Sequence, residues 1–195
     1  MFLQTPPDSE AASRLYQKDI DSRGHVMNLN RAWAWRPDVT EAFLGLRTLL
    51  TANASLSPRE LAVLVCSAAS TLGDSYCSLA WGKSLAAAAD GPTAAAVLKG
   101  ADEAGLPPRE RALAQWARKV VQDPNGTAPE DVEILRAAGL SDKEIFEATV
   151  FVAFRLAFST VNDALGLSPD WQVAHAAPPE VREAVTFGRP TAPQP

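Results

Sequence analysis

The sequence predicts an all-α domain, and three observations carry this prediction. Alanine is abundant and β-branched runs are few, a composition that favours helices over strands. No segment alternates apolar and polar residues for long enough to form a half-buried strand. Signals for the start of a helix recur along the chain. In each of them a Ser, Thr or Asp is followed by a proline within two residues or by an acidic side chain within three.

Composition and charge exclude several classes of protein. The chain has 195 residues, 47% of them hydrophobic, and a net charge of −5, so it can bury a core and does not suit nucleic acid or anionic membranes as a partner. Its first residues, MFLQTPPDSE, lack the basic and apolar regions of a signal peptide. The apolar segments are too short or interrupted to cross a bilayer, and two cysteines are too few for a disulfide framework. We expect a reduced, cytoplasmic protein.

The chain divides into an N-terminal helical arm (1–30), a helical domain (31–170) and a C-terminal arm (171–195). The first arm holds a short amphipathic helix over Ser9–Ser22. At the start of the domain, Asp38 directly follows Pro37 and predicts a capped helix over Val39–Leu50. The apolar residues expected on one face of this second helix are Phe43, Leu46, Leu49 and Leu50.

A central helical hairpin is the clearest local prediction. Ser57 as N-cap, Pro58 at the first helical position and Glu60 two residues later form a capping box. The helix that follows, ELAVLVCSAASTL, is apolar on all sides and is predicted to be buried. Gly73 ends it, and Asp74 is placed to cap the next helix, SYCSLAWGKSLAAAA.

The C-terminal half repeats this style of helix boundary. LPPRERALAQWARKVVQ predicts a helix that ends at DPNG. Thr127 is the expected cap of the next helix and Gly139 its stop, after which Ser141 opens a long helix that runs to about Leu165. The arm 171–195 holds one short helix and a Pro-rich end, which we expect to be flexible or to lie on a neighbour.

These stretches resemble the carboxymuconolactone decarboxylase / AhpD-like alkylhydroperoxidase superfamily, above all its peroxidase-related branch. The likeness covers Arg31 to Asp170, and the run from Arg109 to Leu167 is its most specific part. The resemblance implies an AhpD-like helical bundle that assembles as a homo-oligomer (dimer, trimer or hexamer). It implies no cofactor.

Peroxidase members of the superfamily use Cys-x-x-Cys at a helix start, a His four residues later and a Glu on the preceding helix. Cys77 matches the second cysteine, whereas Asp74 occupies the place of the first and Trp81 that of the histidine. Glu60 matches the upstream acid, although it is about two residues farther from Cys77 than in the family pattern. A thiolate at a helix N-terminus is stabilised by the free N–H groups, so the position suits a reactive thiol.

Each polar candidate of the hairpin has two interpretations. Cys77 is either a single-cysteine centre that forms a sulfenic acid or a small buried hydrophobe. Asp74 and Glu60 are either proton shuttles or helix caps only. Cys66 can resolve Cys77 only if the two helices bring the sulfurs together, and core packing is the other interpretation.

Arg155 is the most informative polar residue outside the hairpin, since its neighbours in FVAFRLAF are apolar. A buried arginine needs a partner, which is either a carboxylate such as Glu147 or Asp163, or a substrate anion in a cleft. Asn162 is expected to line the same cleft, and Trp81 is a packing group that can cover it.

We expect thiol-dependent reduction of a small organic hydroperoxide at Cys77, with Glu60 nearby and an external thiol as reductant. The alternatives are a cofactor-free decarboxylase, in which Arg155 holds a small carboxylate and Asp74 or Glu60 moves a proton, and a non-catalytic ligand-binding or assembly scaffold. Neither histidine has metal-ligand spacing, so we expect no metal site.

Overall fold

The computed structural model describes residues 1–101 and 105–194. Within these residues eleven α-helices and one short 3-10 turn are found, and none of the described residues forms a strand, which confirms the all-α prediction. The helices are, in chain order, α1 (Glu10–Arg23), α2 (Asn28–Trp33), α3 (Pro37–Ala52), α4 (Pro58–Leu72), α5 (Ser75–Ala88), α6 (Gly91–Leu98), α7 (Pro108–Gln122), α8 (Pro129–Ala137), α9 (Asp142–Ala164), α10 (Trp171–Ala176) and α11 (Pro179–Ala184).

The hairpin of α4 and α5 forms the centre of the fold, as predicted. Ser57 and Glu60 form both hydrogen bonds of the capping box at the start of α4, a device that stabilises a helix by about 1 kcal/mol. Gly73 ends α4 at φ 86°, a left-handed conformation that a side chain would strain. The chain then reverses at once into α5.

Helix α4 is enclosed because it contacts α5, α6, α7 and α9. On one side, Leu64 packs with Trp116 and Phe151 in a core shared by α4, α7 and α9. On the other side, Val63 packs with Leu85 in a second core that α6 and α11 complete. Replacing a fully buried leucine such as Leu64 by alanine costs about 2–5 kcal/mol.

Helix α3 differs from its prediction in both its start and its buried face. It begins at Pro37, so Asp38 lies in the first turn and does not cap the helix. Phe43 points inward, but Leu46 is 45% and Leu49 68% exposed. The helix lies at the edge of the body and touches α9 over a short stretch, so part of its apolar stripe is left uncovered by the residues that the structure describes.

The cap of α8 also differs, whereas that of α9 is as predicted. Ala128, not Thr127, is the N-cap of α8, and its N–H donates to the Asp131 carboxylate at 2.7 Å. The Thr127 hydroxyl is turned the other way and donates to a carbonyl of the preceding turn. Ser141 caps α9 through the N–H of Glu144.

Both ends of the chain lie against its own helical body. The N–H of Phe2 donates to the Leu165 carbonyl at 2.9 Å, and that of Ala192 to the Pro169 carbonyl at 2.8 Å. The Arg189 guanidinium covers the Phe2 ring at 4.7 Å, so the two ends also meet. No helix among the described residues combines the length and apolar character needed to span a bilayer.

Candidate functional site

A cavity of about 390 Å³ lies between helices α1–α3 on one side and α5 and α9 on the other. Cys77 and Arg155, which are 3% and 6% exposed, are buried residues of its lining, and we call these two the floor. Trp33, Phe43 and Phe158 form an aromatic wall, with ring centroids 5.2–5.8 Å apart. A cavity of this size and mixed lining is typical of a small-molecule site.

Cys77 is the third residue of α5 and is held at the floor by two helices. Its N–H donates to Asp74 Oδ1 at 2.9 Å, which is the helix cap. Its sulfur accepts a hydrogen bond from Arg155 Nη2 at 2.9 Å and a longer one from Ser159 Oγ at 3.5 Å. Because residues 155 and 159 are four apart on α9, both donors project from one face of that helix.

The charges around Cys77 act in opposite directions. Burial raises the pKa of the Cys77 thiol to about 12, the Arg155 guanidinium lowers it, and the Asp74 carboxylate raises it. The thiol is therefore protonated at neutral pH in the unliganded pocket. Arg155 supplies the positive charge that a thiolate here requires.

Asp74 is fully buried and only half satisfied. One carboxylate oxygen caps α5, whereas Oδ2 has no hydrogen-bond partner among the described residues. Burial, and after it the charge of Asp74, raise the pKa of Asp163 to about 7 against the opposing effect of Arg189. Asp74 is thus a helix cap that keeps one carboxylate oxygen available.

The expected ion pair of Arg155 with Glu147 or Asp163 is wrong. The Glu147 carboxylate accepts from the N–H of Ser55 at 2.8 Å, on the outer side of α9. Arg155 makes no salt bridge with any described carboxylate, and its Nε is buried without a hydrogen-bond partner. Its partner is the sulfur of Cys77, so the guanidinium belongs to the pocket.

Two aromatic rings hold the Arg155 guanidinium in place. Its central carbon lies 5.5 Å from the ring centroid of Trp81 and 4.9 Å from that of Phe158. Trp81 meets Phe151 edge-on at 6.2 Å, which anchors it in the core. Cation–π contacts of this kind contribute about 0.5–2 kcal/mol, so Trp81 lines the pocket as expected and also fixes the arginine.

Comparison with known proteins was made by sequence and by structure. No protein-family profile matches the sequence, and no curated protein matches it. The alkylhydroperoxidase AhpD core of an uncharacterised peroxidase-related protein from Ralstonia eutropha JMP134 superimposes with a TM-score of 0.78 at 24% identity, covering 89% of this chain and 94% of that one. An uncharacterised peroxidase-related protein from Silicibacter sp. TM1040 gives 0.79 at 21% identity, with 89% and 93% covered.

The chain has the AhpD-like fold. A third solved structure with this architecture is a cysteine-to-alanine variant of the debrominase Bmp8 in complex with 2,3,4-tribromopyrrole. It gives a TM-score of 0.70 at 16% identity and covers 94% of this chain and 95% of that one. The AhpD-like fold predicted from the sequence is therefore confirmed.

Glu60 is not part of the pocket of this AhpD-like chain. It lies at the opposite end of α4 from Gly73, roughly 20 Å away at 1.5 Å per residue. Its carboxylate accepts from Arg109 Nε at 2.6 Å and from the N–H of Ser57 at 2.7 Å. Placing it beside Cys77 was wrong, because the capping box and the ion pair with α7 fix it far from the sulfur.

Cys66 is a core residue and not a partner for Cys77. Both cysteines are free, and Cys66 is fully buried in the core between α4, α6 and α11, whereas Cys77 packs in the other core. Burial raises the pKa of the Cys66 thiol. The expected core packing of Cys66 is confirmed.

Asn162 supports the pocket from behind. Its Oδ1 accepts the indole N–H of Trp33 at 2.8 Å, and the side chain is fully buried outside the cavity lining. The prediction that Asn162 contacts a ligand is therefore corrected to a positioning role for the Trp33 wall.

The N-terminal arm and helix α3 contribute pocket residues that the sequence did not reveal. Lys18 and Arg23 of α1 and Arg47 of α3 line the cavity, and we call these three the cationic mouth. A long-range hydrogen bond from the N–H of Asn28 to Asp170 at 2.9 Å ties the arm to the body. The amphipathic pattern of α1 indicated that one face is covered, but not by what.

Proposed function

We propose that this chain is a single-cysteine thiol enzyme that reduces small organic hydroperoxides at Cys77, with an external thiol as reductant. The observation that carries this proposal is the hydrogen bond from Arg155 Nη2 to Cys77 Sγ at the floor of a ligand-sized cavity. A buried guanidinium without a carboxylate partner is costly. A thiolate and a bound peroxide are groups that would compensate it.

The first step oxidises the sulfur and reduces the peroxide. The Cys77 thiolate attacks the terminal oxygen of the hydroperoxide, so that an S–O bond forms and the O–O bond breaks. The alkoxide that leaves takes up the proton lost by the thiol and departs as an alcohol. Cys77 becomes a sulfenic acid.

Two groups support this step. Arg155 stabilises the thiolate and the negative charge that develops on the leaving oxygen. We assign the thiol proton to Asp74 Oδ2, which has no hydrogen-bond partner among the described residues and lies beside Cys77 but outside the cavity lining, and the alkoxide takes up that proton as it leaves. Because burial holds the pKa of Cys77 at about 12, proton removal accompanies attack and does not precede it.

The second step requires a thiol from outside the chain. Cys66 packs in a different core, and both cysteines are free thiols in the structure, so we assign the resolving role to an external thiol. An external thiol attacks the sulfenic sulfur, an S–S bond forms and water leaves. A second thiol then reduces the mixed disulfide and regenerates Cys77.

A cofactor-free decarboxylase of small carboxylates is the second candidate. Arg155 forms no salt bridge with a described carboxylate and could hold a substrate carboxylate. Of its two expected proton shuttles, Glu60 lies far from the pocket and Asp74 remains. This chemistry needs no thiol, so loss of the sulfur separates the two candidates.

The test is hydroperoxide consumption with dithiothreitol as reductant, followed in the wild type and in matched cysteine variants. Cys77→Ser should abolish turnover above the uncatalysed rate, whereas Cys66→Ala should keep it. Equal turnover by Cys77→Ser and the wild type would rule out the proposal.

A further inference from the structure

We propose that the cationic mouth of the cavity (Lys18, Arg23 and Arg47) is an anion subsite that selects ligands with a carboxylate at one end and an apolar body. The proposal has a binding half, which is the anion subsite itself, and a substrate half. The substrate half rests on the proposed function and states that the preferred substrate is a hydroperoxide of an apolar carboxylic acid. The peroxide group would meet the floor and the carboxylate would meet the mouth.

The charge of the cavity contrasts with that of the chain. The cavity is lined by four cationic side chains, which are the three of the mouth and Arg155, and by one acidic side chain, Asp19. The whole chain carries a net charge of −5. A positive concavity in an acidic protein attracts small anions and repels cations.

The one acid in the lining does not neutralise the mouth. Asp19 Oδ2 accepts the N–H of Met27 at 2.9 Å and the amide of Asn30 at 2.8 Å, so it is used to fold the arm. Its other oxygen forms a salt bridge with Arg23 Nη1 at 3.8 Å, so it compensates one of the three cations. Among the described residues, no carboxylate forms a salt bridge with Lys18 or Arg47.

Arg47 is the cation of the mouth that gains most from an anion. Partial burial lowers the pKa of its guanidinium, and the like charges of Arg155 and Arg23 lower it further. A carboxylate bound between Arg47 and Arg23 would replace the repulsion between these two by charge-assisted hydrogen bonds. The same repulsion makes the empty mouth unfavourable.

The lining also determines the shape of the ligand. Cys77 and Arg155 are buried, whereas the three cations of the mouth lie on helices α1 and α3 at the exposed side. The rest of the lining includes the aromatic wall and the apolar side chains of Leu15 and Leu29. A ligand that reaches both the floor and the mouth would therefore place a polar group at each and contact apolar side chains with its body.

The substrate half is tested with a hydroperoxide of a medium-chain carboxylic acid and its methyl ester. The wild type should show a kcat/KM at least about tenfold higher for the acid, the factor expected for one hydrogen bond to a charged group. Arg47→Gln should remove this preference. The matched control is Arg36→Gln, an exposed arginine outside the cavity that is paired with Asp38, and it should keep the preference.

The binding half is tested without peroxide chemistry. Octanoate and octanamide are titrated into Cys77→Ser by calorimetry. Octanoate should bind more tightly, its affinity should fall with salt, and Arg47→Gln should weaken it at least about tenfold while leaving octanamide unchanged.

The two tests separate the two proposals. If no hydroperoxide is turned over but octanoate binding depends on Arg47, the proposed function fails and the anion subsite stands. If acid and ester are reduced equally and Arg47→Gln behaves as Arg36→Gln does, the subsite is overturned and the peroxidase proposal survives. Octanoate binding that is unaffected by Arg47→Gln also overturns the subsite.

Discussion

Arg155 Nη2 lies 2.9 Å from the sulfur of Cys77, and no described carboxylate forms a salt bridge with this arginine. One residue of α9 thus brings a full positive charge to a cysteine near the start of α5. In the family pattern that the sequence resembles, Asp74 and Trp81 occupy the positions of the other cysteine and the histidine.

Replacing Arg155 by methionine should raise the pKa of Cys77 further, because the only lowering charge is lost. Stability should stay the same or rise, since a buried cation is replaced by an apolar chain of similar length. The rate of Cys77 alkylation against pH, measured in a Cys66→Ala background, gives the pKa. Arg155→Lys should restore part of the shift, and an unchanged pH profile in Arg155→Met would contradict the assignment.

Replacing Asp74 by asparagine separates its cap from its charge. Asparagine caps a helix as well as aspartate, so stability should change little, whereas Asp74→Ala should cost about 1 kcal/mol. The pKa of Cys77 should fall because a negative charge beside it is removed. If Asp74 also accepts the thiol proton, peroxide reduction should slow despite the lower pKa; a faster rate would limit Asp74 to a structural and electrostatic role.

Asp163 should make stability depend on pH. Burial and the charge of Asp74 raise its pKa from 3.8 to about 7 in the folded chain, so between these two values the folded state binds more protons than the unfolded state. Stability contributed by this group is therefore present below about pH 4 and is lost as the pH rises to 7. Since Asp163 is partly exposed, we expect a loss of roughly 1–2 kcal/mol.

The measurement for Asp163 is urea denaturation at several pH values, compared between the wild type and Asp163→Asn. The variant should be more stable than the wild type at pH 8 and should show a flatter profile between pH 4 and 7. Identical profiles would mean that Asp163 titrates normally.

Glu60→Gln should destabilise the fold without changing the thiol. The ion pair with Arg109 at 2.6 Å and the capping box are both weakened, at a cost of about 1–3 kcal/mol. The pKa of Cys77 and the rate of peroxide reduction should equal those of the wild type at temperatures where the variant is folded. A change in the pKa of the Cys77 thiol would contradict this prediction and would indicate that Glu60 acts on the site.

The expected homo-oligomer remains a prediction, and two exposed apolar side chains offer a test. Leu49 of α3 is 68% and Phe146 of α9 is 69% exposed, so both side chains are available for a contact between copies. If copies of the chain pack through these helices, Leu49→Glu and Phe146→Glu should lower the mass measured by light scattering. Lys143→Glu, an exposed change on α9, is the control for added negative charge.

Sequence reasoning succeeded where structure depends on neighbouring residues. The stop at Gly73 and the caps at Ser57, Asp74 and Ser141 follow from local chemistry and are found as predicted. It failed for the face of α3, because periodicity identifies an apolar stripe but not which part of it has a partner. The pairing of Arg155 with Cys77 was also missed, since it joins residues 78 apart.

The candidate site was predicted in part for the same reason. Cys77, Arg155 and Trp81 were predicted as site residues from the sequence, and all three line one cavity. The contribution of the N-terminal arm depends on contacts such as that from Asn28 to Asp170, which no local pattern reveals. Glu60 was placed near Cys77 because it matches the family pattern. That pattern contains no information about the ion pair that Glu60 forms with Arg109 of α7.

The most direct test of the central claim is a single-turnover reaction with one equivalent of organic hydroperoxide and no reductant, in the presence of dimedone. The account predicts one alcohol formed per chain and a dimedone adduct located on Cys77 by peptide mass spectrometry, with Cys66 unmodified. Recovery of unreacted hydroperoxide with both cysteines still present as free thiols would contradict it.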